Sequence, residues 1–158
     1  DNILSWLNGE GEFEYKGRKT IARFYSQLEP QRSSCIRIID TNFIRDPFWH
    51  KIDDNYIEIT NNITNEGNIE SRPILRLEKT NSEEIDITIN NIRFKYNFKN
   101  DTYVEINCEE KNVIYEGLNR NRQIEIGYEF PKLNIGDNIV TLNSGECVIK
   151  AKRKDRWL

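Results

Sequence analysis

The chain has 158 residues, room for one ordinary domain or for a small domain with part of another. Hydrophobic residues make up 37% and charged residues 31%, with a mean hydropathy of -0.75; this is wet for a globular chain, yet 11% aromatics excludes disorder. The 23 basic and 26 acidic residues leave a net charge of -3, which excludes the overall basic footprint of a nucleic-acid binder, and no apolar run approaches the roughly 20 residues of a membrane-spanning helix.

The chain contains no methionine and begins at Asp1, so it is expected to be a piece of a longer protein. In chain order, residues 1–8 predict a brief helix, with Ile3, Leu4 and Leu7 on one side, Asp1 or Asn2 as N-cap and Gly9 as the stop. The period then changes to two. Glu12-Phe13-Glu14-Tyr15, the turn Lys16-Gly17-Arg18 and the run Thr20 to Leu28 predict a hairpin. Ser33 to Ile44 predicts another extended run, broken at Asp46-Pro47-Phe48-Trp49 because proline removes a ladder donor.

Beyond Asn55 one apolar face recurs in strand after strand. Ile57 and Ile59, Leu75 and Leu77, Ile85, Ile87 and Ile89, Val104, Ile106 and Cys108, and Cys147, Ile149 and Ala151 each alternate with polar residues. Turns are expected at Asn65 to Asn68, Lys79 to Ser82, Glu109 to Asn112, Asn134 to Asn138 and Asn143 to Gly145. The expected class is mainly β: an antiparallel sandwich over 51–158, preceded by a short helix and hairpin in 1–50, with the boundary inside Asp46 to Asn55.

Residues that could carry chemistry are few. His50 is the one histidine, and no Ser or Cys motif points at it. The adjacent pairs Asp53-Asp54, Glu83-Glu84 and Glu109-Glu110 point to opposite faces of a strand, so they do not make a shared acid site. Cys35, Cys108 and Cys147 lack the local pairing of a zinc site and read as small buried residues, with a disulfide between two of them left open. Gly9-Glu10-Gly11 lacks the strand-to-helix context of a phosphate loop, and the sequons at Asn62 and Asn100 are expected by chance in so Asn-rich a chain. No catalytic residue, cofactor or metal is expected.

Two surfaces remain. Lys152, Arg153, Lys154 and Arg156, with Trp157, form a basic tail suited to an acidic neighbouring subunit; Lys150 and Lys152 read equally as the wet face of a strand. Nucleic acid is disfavoured by the negative total. Phe94, Tyr96 and Phe98 share one side of a strand, near Tyr103 and Tyr128 in sequence. They read either as core or as rings on which a glycan stacks.

The order of four stretches resembles the siphophage distal tail protein family. Trp6-Leu7 with Gly9, Gly11 and a hairpin is similar to the latter part of that family's N-terminal domain. Cys35 to Ile44 ending in Asp46-Pro47-Phe48-Trp49 resembles the strand that closes it. Ile63-Thr64-Asn65-Glu66-Gly67-Asn68, Arg72-Pro73-Ile74-Leu75 and Ile87-Thr88-Ile89-Asn90 resemble the start of its C-terminal domain. Phe130-Pro131-Lys132-Leu133, Gly136-Asp137-Asn138 and Lys152 to Trp157 resemble its end.

The resemblance implies a galectin-like sandwich over 51–158 and, over 1–50, a remnant of an N-terminal domain that builds a hexameric ring. It implies a structural role in the virion tail, assembled in the host cytoplasm, as a hub between the tail tube and the tail-tip or receptor-binding proteins. A galectin-like shape does not bring sugar binding with it. The alternative from another class is a module that binds bacterial surface glycans through Phe94, Tyr96 and Phe98.

Overall fold

The structure, a computed structural model, describes residues 9–24, 31–33, 36–38, 42–127 and 129–158, with backbone alone for 31–33 and 36–38. The helix expected over 1–8 lies outside the described residues, as do Cys35 and Tyr128. The chain divides into two compact units, residues 1–52 with Leu158, and Asp53–Trp157.

In the first unit β1 (Glu10–Tyr15) and β2 (Arg18–Phe24) form an antiparallel hairpin. Its two-residue turn needs positive φ at both positions, and Lys16 (48°) and Gly17 (76°) supply it. The run expected as one extended stretch over Ser33 to Ile44 is divided. β3 (Gln31–Ser33) and β4 (Ile36–Ile38) pair with each other, while β5 (Phe43–Arg45) pairs with β2. After Pro47 the chain re-enters the sheet as β6 (Trp49–Lys51), also on β2. Thr20, which is buried, donates from Oγ1 to the Phe48 carbonyl at 2.9 Å.

The second unit is an antiparallel β-sandwich, so the mainly-β class holds. Its strands are β7 (Ile57–Ile59), β8 (Asn62–Asn65), β9 (Ile74–Lys79), β10 (Glu84–Ile89), β11 (Ile92–Asn97), β12 (Tyr103–Asn107), β13 (Asn112–Tyr115), β14 (Leu118–Asn119), β15 (Ile124–Ile126), β16 (Gly136–Ser144) and β17 (Cys147–Lys152), and the two-residue strand β18 (Arg156–Trp157) follows outside its two sheets. One sheet runs β15-β11-β10-β16-β8 and the other β14-β13-β12-β9-β17-β7.

The alternating faces close on each other. Leu75 and Leu77 of one sheet and Ile85, Ile87 and Ile89 of the other are fully buried in a single apolar cluster. Each such side chain contributes roughly 2 kcal/mol through removal from water. Ile57 departs from the pattern. At 41% exposure it sits on an edge strand, where the opposing sheet no longer covers it.

The stretch Asn134 to Asn138, expected as a turn, ends inside β16 instead. Asn138 is fully buried, and its side chain replaces the backbone bonds that the bend loses. Its Oδ1 accepts from Asn134 N at 2.7 Å and Asn90 Nδ2 at 2.8 Å; its Nδ2 donates to the carbonyls of Gly136 (2.8 Å) and Asn134 (2.9 Å). The turn expected at Asn143 to Gly145 is likewise shorter, because Asn143 and Ser144 still belong to β16.

Candidate docking surfaces

Phe94, Tyr96 and Phe98 belong to the core. Their exposures are 1%, 0% and 0%, and Tyr96 and Phe98 pack edge to face at 5.1 Å. A ring stacks on a sugar only if one face is open to solvent, so this row offers no glycan platform. What it fixes is the opposite face of the same stretch. With the aromatics inward, Arg93, Lys95 and Asn97 point outward, a signal present in the alternation but overshadowed by the rings.

The basic tail is folded into its own unit. Lys152 ends β17, and its ammonium lies 4.7 Å from the centre of the Tyr56 ring. Arg153, with its side chain 15% exposed, donates from Nη1 to the Thr64 carbonyl and to Glu66 Oε1, both at 2.9 Å. Its Nη2 meets Asp155 Oδ2 at 3.1 Å. Lys154 pairs with Asp54 at 3.4 Å, and Arg156 pairs with Glu109. Trp157 is half-buried. The four cations therefore face acids or an aromatic ring of their own unit, and the segment acts as a latch across it.

The outer face of the six-stranded sheet carries a cross-strand row. The registers align Ile114, Glu105, Arg76, Lys150 and Glu58. Arg76 donates from Nε to Glu78 (2.9 Å) and from Nη1 to Glu105 (3.0 Å), and its guanidinium lies 4.0 Å from the Tyr103 ring centre. Lys150 reaches Glu78 at 2.8 Å. The Tyr56 hydroxyl is pushed above its ordinary pKa by burial and by Glu105, so it stays protonated and donating. Tyrosine and arginine are the residues enriched at the centres of protein interfaces, while lysine and glutamate such as Lys150 and Glu58 are more typical of their rims.

On the outer face of the five-stranded sheet, Asp86 is only 4% exposed. Arg93 Nε reaches its two oxygens at 2.9 and 3.0 Å, Arg93 Nη2 adds a third bond, and Asn143 Nδ2 donates at 2.9 Å. The Arg93 bonds, with Asn143 assisting against the burial penalty, bring the Asp86 carboxyl down to about 2. In the first unit, Phe13 and Tyr15 are more than half exposed, and their ring centres lie 6.0 and 6.2 Å from that of Trp49. His50 is half-buried on β6, opposite Lys19. Cys108 and Cys147 are free thiols, pushed up to about 12 and about 11 by burial, so neither carries appreciable thiolate near neutral pH. No helix among the described residues is long and apolar enough to cross a membrane.

The two sheets thus bury their apolar faces against each other and turn charged side chains outward, with tyrosines added on the six-stranded face. The family described as "Siphovirus-type tail component, C-terminal domain" matches residues 66–157, more than half of the chain. The chain belongs to that family, and is a component of a siphovirus-type tail. No curated protein and no solved structure matches it significantly.

Proposed function

We propose that this tail component is a distal tail hub, which joins the tail tube to the tail-tip or receptor-binding proteins through protein–protein contacts and carries out no reaction. The observation that carries the reading is the family match over 66–157, which coincides with a sandwich whose outer face presents the Arg76–Tyr103 pair. On this reading residues 1–50 are the remainder of a domain that closes a hexameric ring, and 51–158 are a galectin-like domain that follows it in the chain. Assembly takes place in the host cytoplasm.

The test is negative-stain imaging of the full-length protein, alone and mixed with its tail-tube and tail-tip proteins. Rings that bind both partners are expected. A protein that stays monomeric at high concentration and binds neither partner overturns the hub.

A further inference from the structure

Beside β15 the sandwich carries a cleft of about 300 Å³ whose walls include Lys95, Lys99 and Arg122, together with Glu84 and Glu125. These three cations share a hollow and lack a carboxylate partner among the described residues, unlike most cations of their unit. Arg72, Arg76, Arg93, Arg120, Lys132, Lys150, Arg153, Lys154 and Arg156 all have a carboxylate partner. Lys95, Lys99 and Arg122 have none within ion-pair distance among the described residues, although Lys95 stands opposite both Asp86 and Glu125 in register. All three line one hollow.

The adjoining strand is also open. β15 ends its sheet, paired with β11 on one side only, so its outer row of N–H and C=O groups carries no strand among the described residues. A second hollow of about 270 Å³ shares Lys95 and Glu125 and adds Arg93 and Gly127, which extends the depression along the same two strands.

We propose that this trough receives an acidic, extended segment of a partner tail protein, which adds as a strand to β15 while its carboxylates meet Lys95, Lys99 and Arg122. The proposal names a contact for the structural tail role given above, and rests on that reading. Main-chain hydrogen bonds along an open edge give the segment its register, and charge gives it selectivity. A three-residue edge offers few such bonds, so the cations carry much of the recognition. An anionic glycan is the weaker fit. The ring in the cleft wall, Tyr96, is fully buried and presents no face to a sugar.

The experiment titrates the full chain with a short fluorescent peptide alternating Asp and Val, with the same peptide carrying proline at alternate positions, and with oligogalacturonate. The Asp-Val peptide is expected to bind, to weaken steeply with salt, and to lose about tenfold or more in affinity with Lys99→Glu and Arg122→Glu combined. Lys111→Glu, which alters another cation lacking an ion-pair partner among the described residues but outside the cleft, is expected to leave binding unchanged. Thermal melts of each variant confirm folding. Equal loss with Lys111→Glu, equal binding of the proline peptide, oligogalacturonate binding in place of the peptide, or no peptide binding each overturns the proposal. The double variant is also mixed with the tail-tube and tail-tip proteins. Normal assembly overturns the cleft contact and leaves the hub standing. If the wild-type chain itself fails to assemble, the hub fails and the peptide titration decides the cleft.

Discussion

Tyr96 Oη donates a 2.9 Å hydrogen bond to Asp101 Oδ2 at the place where the chain leaves β11 in one sheet for β12 in the other. Both residues are buried, and the carboxylate also accepts from Arg120 Nε at 2.9 Å. In the amide orientation that satisfies every partner, Gln123 donates to Asp101 Oδ2 at 3.0 Å and to the Asn97 carbonyl at 2.8 Å. One carboxylate thus ties three side chains together. Tyr96→Phe removes one donor and leaves Asp101 with two, so it is expected to cost about 1 kcal/mol. Asp101→Ala strands the tyrosine hydroxyl and the guanidinium, and is expected to cost about 3 kcal/mol. Urea denaturation of both variants checks the ranking; equal losses would mean that the network does not depend on its acid.

The Asp86–Arg93 pair makes a statement about pH. Asp86 is held near 2 in the folded chain and titrates near 4 when unfolded, so the unfolded chain takes up the proton first as pH falls. The stabilisation is therefore fully present above about pH 4 and disappears as pH drops toward about 2. Arg93 is 62% exposed, so added salt screens part of the effect. In Asp86→Asn the denaturation midpoint should be lower at neutral pH and depend less on pH in that window. Parallel curves for the variant and the wild type would rule out the assigned contribution.

Local order and long-range order were unequally visible in the sequence. Period-two alternation places Leu75, Leu77, Ile85, Ile87 and Ile89 inward without knowledge of any partner, because a half-buried strand carries its orientation in its own residues. The face taken by Phe94, Tyr96 and Phe98 is different. Alternation puts them together, but only the opposing sheet decides whether that side is core or solvent. The basic tail shows the same limit. Its charges are plain in the sequence, while the acid that Arg153 meets, Glu66, lies 87 residues away and becomes a neighbour only through β8, β16 and β17. Asn138 was hidden for another reason: asparagine between Gly136-Asp137 and an apolar run signals a turn, and its buried side-chain bonds are a tertiary property. Of the cleft cations only Lys95 was legible, as part of the outward side of the Phe94 to Phe98 stretch; Arg122 comes from a separate segment and joins it only through the pairing of β15 with β11.

Arg153 is expected to be the main fastening of the C-terminal segment. Its guanidinium spans Glu66, the Thr64 carbonyl and Asp155, and the Asp155 side chain is 1% exposed. Arg153→Ala removes the cation facing a buried carboxylate, with an expected loss of about 3 kcal/mol. Arg153→Ala with Asp155→Asn should recover part of that loss, since the charge needing a partner is gone. A thermodynamic cycle over the four proteins gives the coupling directly. If the double variant is no more stable than Arg153→Ala, the Asp155 charge is not what Arg153 compensates.

Gly67 shows how closely that segment is seated. A Cβ at this position would lie 2.3 Å from the Arg156 carbonyl oxygen, 2.8 Å from Arg156 N and 2.9 Å from Asn65 Oδ1. All three take part in local bonds or pairing: Gly67 N donates to Asn65 Oδ1 at 2.9 Å, Asn68 N donates to the Arg156 carbonyl at 3.0 Å, and Arg156 bridges to Ile69. Backbone cannot yield as a flexible side chain does, so Gly67→Ala must move β18 away, at an expected cost of about 2 to 3 kcal/mol. Gly117→Ala is the control. It meets open space and strains only a positive φ of 78°, so about 1 kcal/mol is expected. Hydrogen exchange separates the two effects. The Asn68 amide should lose protection in Gly67→Ala and keep it in Gly117→Ala, and unchanged protection in both would show that the segment is not held by this contact.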